Sequence, residues 1–399
     1  MSPTIIEKLL KGAEVEWKPL GEIVKIKTGA LVNKNTIQNN PGVYPVINSG
    51  KEPLGFIKYW NTECDPIGIT TRGAGVGSVT WQEGRYFRGN LNYSVTIKDN
   101  KKLLVRYLFY SLTSQQKDIQ NLATYSGIPA LNAAELKKLR VPMPPLSVQK
   151  EIVRILDAFT AHTAELTAEL YERKKQYNYY RDKLLTFSDD EVEWKTIEEI
   201  FTLKNGYTPS KSVKEYWTGG TVPWFRMEDL RAGGRILTES AQKVHINGVK
   251  GKLFPKDSII MSTSATVGEH ALILTDFLCN QRFTNFSVRE RYKAFLDIKY
   301  VYYYFFVIDK KAQENTSISS FPSVQMDALK KWLFPIPPIS VQKEIVRKLD
   351  SFSTLTTSIS EGLPREIELR NKQYEYYRDQ LLNFPKPEND AIKHNSTNR

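Results

Sequence analysis

The sequence predicts an α+β protein in which two similar globular α/β segments are separated by two long antiparallel coiled-coil helices, related by a pseudo-twofold axis in a circularly closed repeat. Three observations predict it. Residues 142–159, PMPPLSVQKEIVRILDAF, return at 335–352 as PIPPISVQKEIVRKLDSF. Residues 173–187, RKKQYNYYRDKLLTF, return at 370–384 as RNKQYEYYRDQLLNF. Between the repeats' Pro-x-Pro-Pro stretches and their ends, apolar side chains fall at the 4-3-4-3 spacing of a coiled-coil seam.

The chain begins with a short amphipathic stretch, 4–11, whose Glu7-Lys8-Leu9-Leu10 resembles Asp182-Lys183-Leu184-Leu185 and the helix end at 379–382. The start therefore reads as a fragment of the helix end that also finishes the chain, and this is the closure. The first globular segment runs over 1–146. Its Val15-Glu16-Trp17-Lys18 and Asn92-Tyr93-Ser94-Val95 return as Val192-Glu193-Trp194-Lys195 and Asn285-Phe286-Ser287-Val288 in the second segment, 189–339, which carries extra residues around 211–251. Insertions of that kind belong to surface loops.

Helix one spans 147–188 and contains no Pro or Gly between Val148 and Phe187. Its seam is Ile152, Leu156, Phe159, Leu166, Leu170, Tyr177, Tyr180 and Leu184. At ~1.5 Å per residue, a helix of roughly 40 residues is about 60 Å long and needs a partner along its length. Helix two, 340–385, supplies it through Ile345, Leu349, Phe352, Ile359, Ile367, Tyr374, Tyr377 and Leu381. Two consecutive fours in its spacing mark a four-residue stutter beside Gly362-Leu363-Pro364, where a kink or short break is expected. Residues 386–399 read as a disordered tail.

Composition bounds the function. The 399 residues suffice for two or three domains, and 56 Lys+Arg against 44 Asp+Glu give a net charge of +12, which favours a polyanionic partner. Two cysteines offer no disulfide framework, and the four histidines lack metal-ligand spacing. The first eleven residues lack a secretory apolar stretch, so a cytoplasmic location is expected. Gly73-Ala-Gly75-Val-Gly77 departs from G-x-G-x-x-G and reads as a tight turn between strands. No Asn-Pro-Pro-Tyr or Asp-Pro-Pro-Tyr loop, P-loop or serine nucleophile elbow is present, so the chain reads as a binding protein without catalysis of its own.

Polar and basic groups between apolar runs are the candidates for nucleic-acid contact. In the first segment these are Lys27 and Thr28, read as a turn after a strand, then Asn48-Ser49, Thr71-Arg72 and Tyr125-Ser126. In the second they are Lys204 and Asn205, again read as a turn, then Arg226, Ser262-Thr263-Ser264, Arg282 and Ser319-Ser320. Tyr179 and Tyr376 lie off the seam and are candidates for contact with a protein partner. The run Tyr300–Phe306 reads as a packed helix, because its copy at 107–110 is similarly apolar.

Pro129-x-Leu131-x4-Leu136-Lys137, Val141-Pro-Met-Pro-Pro-Leu-Ser-Val-Gln149 with Ile152-Val153 and Leu156-Asp157, their second copy from Pro322 to Asp350, and Lys175-Gln176-Tyr177-x2-Tyr180-Arg181-Asp182 together resemble the specificity subunit of Type I restriction-modification systems. The resemblance covers nearly the whole chain. It implies two target recognition domains, each reading half of a split double-stranded DNA target, with the paired helices as a ruler a turn or two of duplex long. It implies two methyltransferase subunits as partners, with two restriction subunits and a DNA-mimic inhibitor as further candidates. No cofactor is implied in this chain: S-adenosylmethionine would be bound by the methyltransferase, and ATP and Mg by the restriction subunit. Two classes compete: a nucleic-acid-binding coiled-coil scaffold or regulator that has no methyltransferase partner, and an enzyme with an unrecognised site, against which the absence of paired carboxylates or His constellations at matching repeat positions argues.

Overall fold

A computed structural model describes residues 4–50, 52–316, 322–357 and 362–385. The chain divides into two units, residues 1–167 with 366–399 and residues 168–365.

In the first unit, Val24–Thr28, Asn92–Ile97, Ile67–Thr70 and Val79–Trp81 form a four-stranded sheet in that order, all neighbours antiparallel. Beside it, Pro41–Ile47 pairs antiparallel with Phe56–Ile57 and parallel with Phe87–Arg88. Glu16–Pro19 and Arg140–Met143 make a separate antiparallel pair. The helix Val105–Ser114 buries Tyr107, Leu108, Tyr110 and Leu112 in the same core as Ile69 and Val95. Gly73 and Gly77 adopt positive φ in the turn from Ile67–Thr70 to Val79–Trp81, a backbone that lacks steric cost only without a Cβ.

The second unit repeats this plan. Phe201–Asn205, Phe283–Val288, Ser258–Ser262 and His270–Ile273 form the large sheet, and Val222–Phe225 pairs with Lys243–Val244 and, in parallel, with Leu278–Cys279. The extra residues expected around 211–251 lie within that stretch. Tyr44 pairs with Ile57, whereas the equivalent Val222 pairs with Val244, so the additions fall mainly between these two strands. They build the helix Met227–Gly233 and a fifth strand, Ile236–Leu237, parallel to His270–Ile273. Arg235 anchors that strand through Asp309, 3.0 Å away, and Asp309 also lies 2.6 Å from Nδ1 of the buried His270. The run Tyr300–Phe306 lies within the helix Ile298–Glu314, with most of its rings in the core.

The first long helix is Leu146–Leu184; the second is assigned as Ile339–Thr357 and Leu363–Leu382. Gly362 has a positive φ ahead of the latter piece, and residues 358–361, with Ile359 of the expected seam, lie outside the described residues, as does the tail 386–399. In the first unit, Ile152 and Leu156 share a core with Tyr374, Tyr377 and Leu381, and Phe159 stacks on Tyr377 with centroids 5.2 Å apart. In the second, Tyr177 and Leu184 share a core with Ile345 and Leu349, and Tyr180 stacks on Phe352 at 5.7 Å. The beginning of one helix thus packs with the end of the other in each unit, the order of an antiparallel pair. Leu166 is buried, Leu170 and Ile367 are half-buried. At the chain start, Thr4 caps the helix Ile5–Leu10, which buries Ile6 and Leu10 in one core with Leu381 and Phe384, so the first and last helical turns meet in the first unit.

Candidate nucleic-acid interface

The polar candidates lie far apart in sequence, yet backbone hydrogen bonds draw those of each unit to one end of its sheets. In the first unit the organising segment is 88–92. Asn92 accepts from the Gly29 amide, Arg88 from Ala30, and Leu91 from Thr71. Gly29 shows how tight this crossing is: a Cβ there would sit 2.2 Å from the Gly89 carbonyl. Leu131 in turn donates to Thr71, and Gly73 to Pro129, which brings the 124–131 hairpin alongside. Lys27, Thr28, Ser49, Arg72, Tyr125 and Ser126 are exposed or half-buried there.

The second unit repeats the cluster around 279–283. Phe283 accepts from Gly206, Cys279 from Tyr207, and Arg282 from Thr263, while Asn280 donates to Phe225 next to Arg226. Ala265 donates to Pro322 and Val324 to Thr263, matching the hairpin of the first unit. Parallel pairing makes Arg226 the counterpart of Asn48, since Val46 faces Phe87 as Trp224 faces Leu278. Ser319 and Ser320 lie outside the described residues.

Several placements differ from the sequence reading. Lys27-Thr28 and Lys204-Asn205 are the last residues of strands rather than turns, because their backbones pair with Tyr93-Ser94 and with Thr284-Asn285. Thr71 is buried at the end of a strand. Ser262 is also a strand residue, fully buried, and its hydroxyl donates to the Thr266 and Glu269 carbonyls; a polar side chain so satisfied holds a turn and has nothing left for a ligand. Thr263 spends its hydroxyl on Thr284, and Asn48 uses Oδ1 to accept from the Leu91 amide at 2.9 Å. Ser264 and Arg226 are half-buried, whereas Arg282, Lys204 and Asn205 are exposed.

The sequence reading missed Arg88, which is 3% exposed. Its guanidinium donates to Asn92 Oδ1 at 2.6 Å, to the Tyr93 and Asp65 carbonyls at 3.0 and 2.7 Å, and to the Tyr86 hydroxyl. Burial pulls its pKa below the ordinary value, against the opposing pull of Tyr86 and Asp65. Arg88 thereby fixes the segment 88–92 on which the whole cluster hangs. Nothing in a lone Arg between Phe87 and Gly89 signals this; the partners come from three segments, the strand Asn92–Ile97, the loop at Asp65 and Tyr86.

Two further clamps recur in both units and tie each globular part to its long helix. Tyr107 Oη donates to the Pro142 carbonyl as Tyr300 Oη does to Pro335, and Tyr110 Oη donates to Asp157 as Tyr303 Oη does to Asp350. Tyr179 and Tyr376, in contrast, stay 62% and 59% exposed, each edge-on to the tyrosine that follows it.

The family model for the Type I restriction modification DNA specificity domain matches residues 13–174 and again 189–369. The chain belongs to that family. It is 37% identical to the Type I restriction enzyme EcoR124I/EcoR124II specificity subunit of Escherichia coli, over 96% of this chain and 98% of that one. It is 50% identical to the Escherichia coli EcoprrI specificity subunit over 52% of this chain and 54% of that protein. Among solved structures it resembles the Type I restriction-modification system S subunit from M. genitalium, with a TM-score of 0.54 and 18% identity over 94% of this chain and 97% of that one. A chain from a structure of Type I system complex assembly and conformational transition gives a TM-score of 0.62 with 15% identity over 93% of this chain and 98% of that one. At these identities the structures speak for the fold. Among the described residues of this family member, no group of His, Cys, Asp and Glu side chains could hold a metal ion, and no helix is long and apolar enough to cross a membrane.

Proposed function

We propose that this chain is the DNA sequence-specificity subunit of a Type I restriction-modification complex, in which the segments 1–146 and 189–339 each read one half of a bipartite double-stranded target. The observation that carries the reading is the recurrence of one loop cluster in both units, around 88–92 and around 279–283, on frameworks whose helical parts are nearly identical in sequence. A rigid shared framework with differing loops can read two sequences with one geometry. The polar side chains exposed there suit phosphates and base edges, and the net charge of +12 suits a polyanion.

In this reading the chain is non-catalytic and acts in the cytoplasm. Two methyltransferase subunits dock on equivalent faces of the two long helices, since a repeated surface can hold two copies of one partner, with Tyr179 and Tyr376 among the contacts. They bring S-adenosylmethionine for adenine-N6 methylation; two restriction subunits would bring ATP and Mg, and a DNA-mimic inhibitor would compete for the same basic loops. The experiment is methylome sequencing of a host that expresses the methyltransferase partner, with and without this chain. Loss of N6-methyladenine at one split motif is the expected result; an unchanged methylome with an active partner rejects the reading.

A further inference from the structure

The second unit holds a cleft of about 670 Å3 that the first lacks in charge. Four cations line it, Lys211, Lys214, Arg226 and Arg282, against the single carboxylate of Glu228. The corresponding positions next to the organising loop of the first unit are Asn48 and Leu91, both uncharged. Lys211, Lys214 and Arg282 are exposed and make no ion pair among the described residues, so their charge is available to a ligand. Trp217 and Trp224 form the wall, edge to face at 4.9 Å, with their indole N–H groups already spent on the Ser210 and Tyr207 carbonyls. Arg226 lies over the Trp224 ring, 5.6 Å from its centroid.

On the loop 280–282 that edges the cleft, the free hydrogen-bonding groups are donors. Gln281 has its Oε1 taken by the Thr208 hydroxyl at 2.5 Å, which leaves its Nε2 as the free group. Asn280 has its Oδ1 taken by the Arg282 amide at 3.0 Å, which leaves its Nδ2. Arg282 itself offers only donors, in a planar fork. Three consecutive residues on one tight loop therefore present donors together. In the major groove, guanine alone sets two acceptors, N7 and O6, side by side; adenine alternates acceptor with donor, and thymine puts a methyl beside its acceptor.

Resting on the proposed role as a DNA-specificity subunit, we infer that the second unit reads a guanine in its half-site through the fork of Arg282, supported by Gln281, while Lys211 and Lys214 hold the phosphates of the strand crossing the cleft. Arg282 is then a specificity-determining residue and the two lysines are affinity residues. The two roles separate experimentally, because a base contact discriminates at one position and a phosphate contact weakens all sequences alike.

The test is the methylome written by the intact complex of this chain with its methyltransferase partner. If the wild-type chain directs methylation to no split motif, the proposed function falls, and this inference with it. Given a split motif, Arg282→Ala is expected to make one guanine position of one half-site degenerate, erasing a preference of roughly 5- to 150-fold, and to leave the other half-site unchanged. Arg282→Lys keeps the charge and removes the fork, and is expected to relax the same position. Lys211→Ala is expected to lower methylation evenly over all sites and to reduce the slope of log affinity against log salt by about 0.9. An unchanged motif in both Arg282 variants, relaxation at a position other than guanine, or an even loss over all sites would overturn the inference while the proposed function stands.

Discussion

Gln149 and Gln342 hold the same three-way clamp in the two units. Gln149 Oε1 accepts from the Leu104 amide at 3.0 Å and its Nε2 donates to the Lys102 and Pro144 carbonyls, both at 2.9 Å. Gln342 accepts from the Asp297 amide at 2.8 Å and donates to the Phe295 and Pro337 carbonyls at 2.7 Å. Both side chains are fully buried on the first turns of the long helices. Each clamp fixes the angle at which a helix leaves its globular part, which a ruler between two reading heads requires.

Removing the clamp strands a buried amide and two carbonyls. Gln149→Ala is expected to cost roughly 2–4 kcal/mol, since each buried group left without a partner costs about 1–3 kcal/mol and some relaxation offsets the total. Hydrogen exchange at the Leu104 amide checks it: exchange should accelerate strongly in Gln149→Ala, while Asp297, its counterpart in the other unit, keeps its protection.

Arg88→Ala should be more damaging than any exposed arginine change. The substitution takes the guanidinium from the Asn92 side chain and the Tyr93 carbonyl and leaves the Asp65 carbonyl with the Tyr86 hydroxyl alone, in a space too buried for easy rehydration, and a loss of about 3–5 kcal/mol is expected. Urea unfolding measures it, with Arg72→Ala as the exposed control expected within about 0.5 kcal/mol of wild type.

Tyr179→Ala and Tyr376→Ala probe the proposed docking of the methyltransferase. Both rings are exposed, so thermal unfolding of the isolated chain should stay within about 0.5 kcal/mol of wild type. Calorimetric titration with the methyltransferase should show a loss of roughly 5- to 30-fold in affinity for each, as for a buried interface tyrosine of about 1–2 kcal/mol. Unchanged affinity in the double variant would remove these tyrosines from the interface.

The Tyr110 hydroxyl gives stability a dependence on alkaline pH. Burial first, and then its hydrogen bond to Asp157, pushes its pKa up to about 12 from the ordinary 10.0. A folded pKa above the unfolded one means the contribution is whole below pH 10 and is lost as pH rises through 12. Tyr110→Phe should therefore flatten the fall in stability across that window, read from urea midpoints at successive pH values.

The two-copy organisation and the long helices are legible without any structure, because a heptad period is written locally in side chains such as Leu156, Tyr177 and Leu349, and a repeated Pro-x-Pro-Pro marks where each helix starts. The family is legible in the same way. Which polar residues stand together was decided only by the tertiary structure. The parallel pairing of Val46 with Phe87 and of Trp224 with Leu278 joins segments about 40 and 50 residues apart, and no local pattern encodes such a partner. The same long-range packing buried Ser262 and Thr71, which look like loop residues in sequence, and gave Arg88 a scaffolding role. Side-chain periodicity reports which face of an element is apolar; what a polar side chain does depends on which groups the rest of the chain places within hydrogen-bonding reach of it.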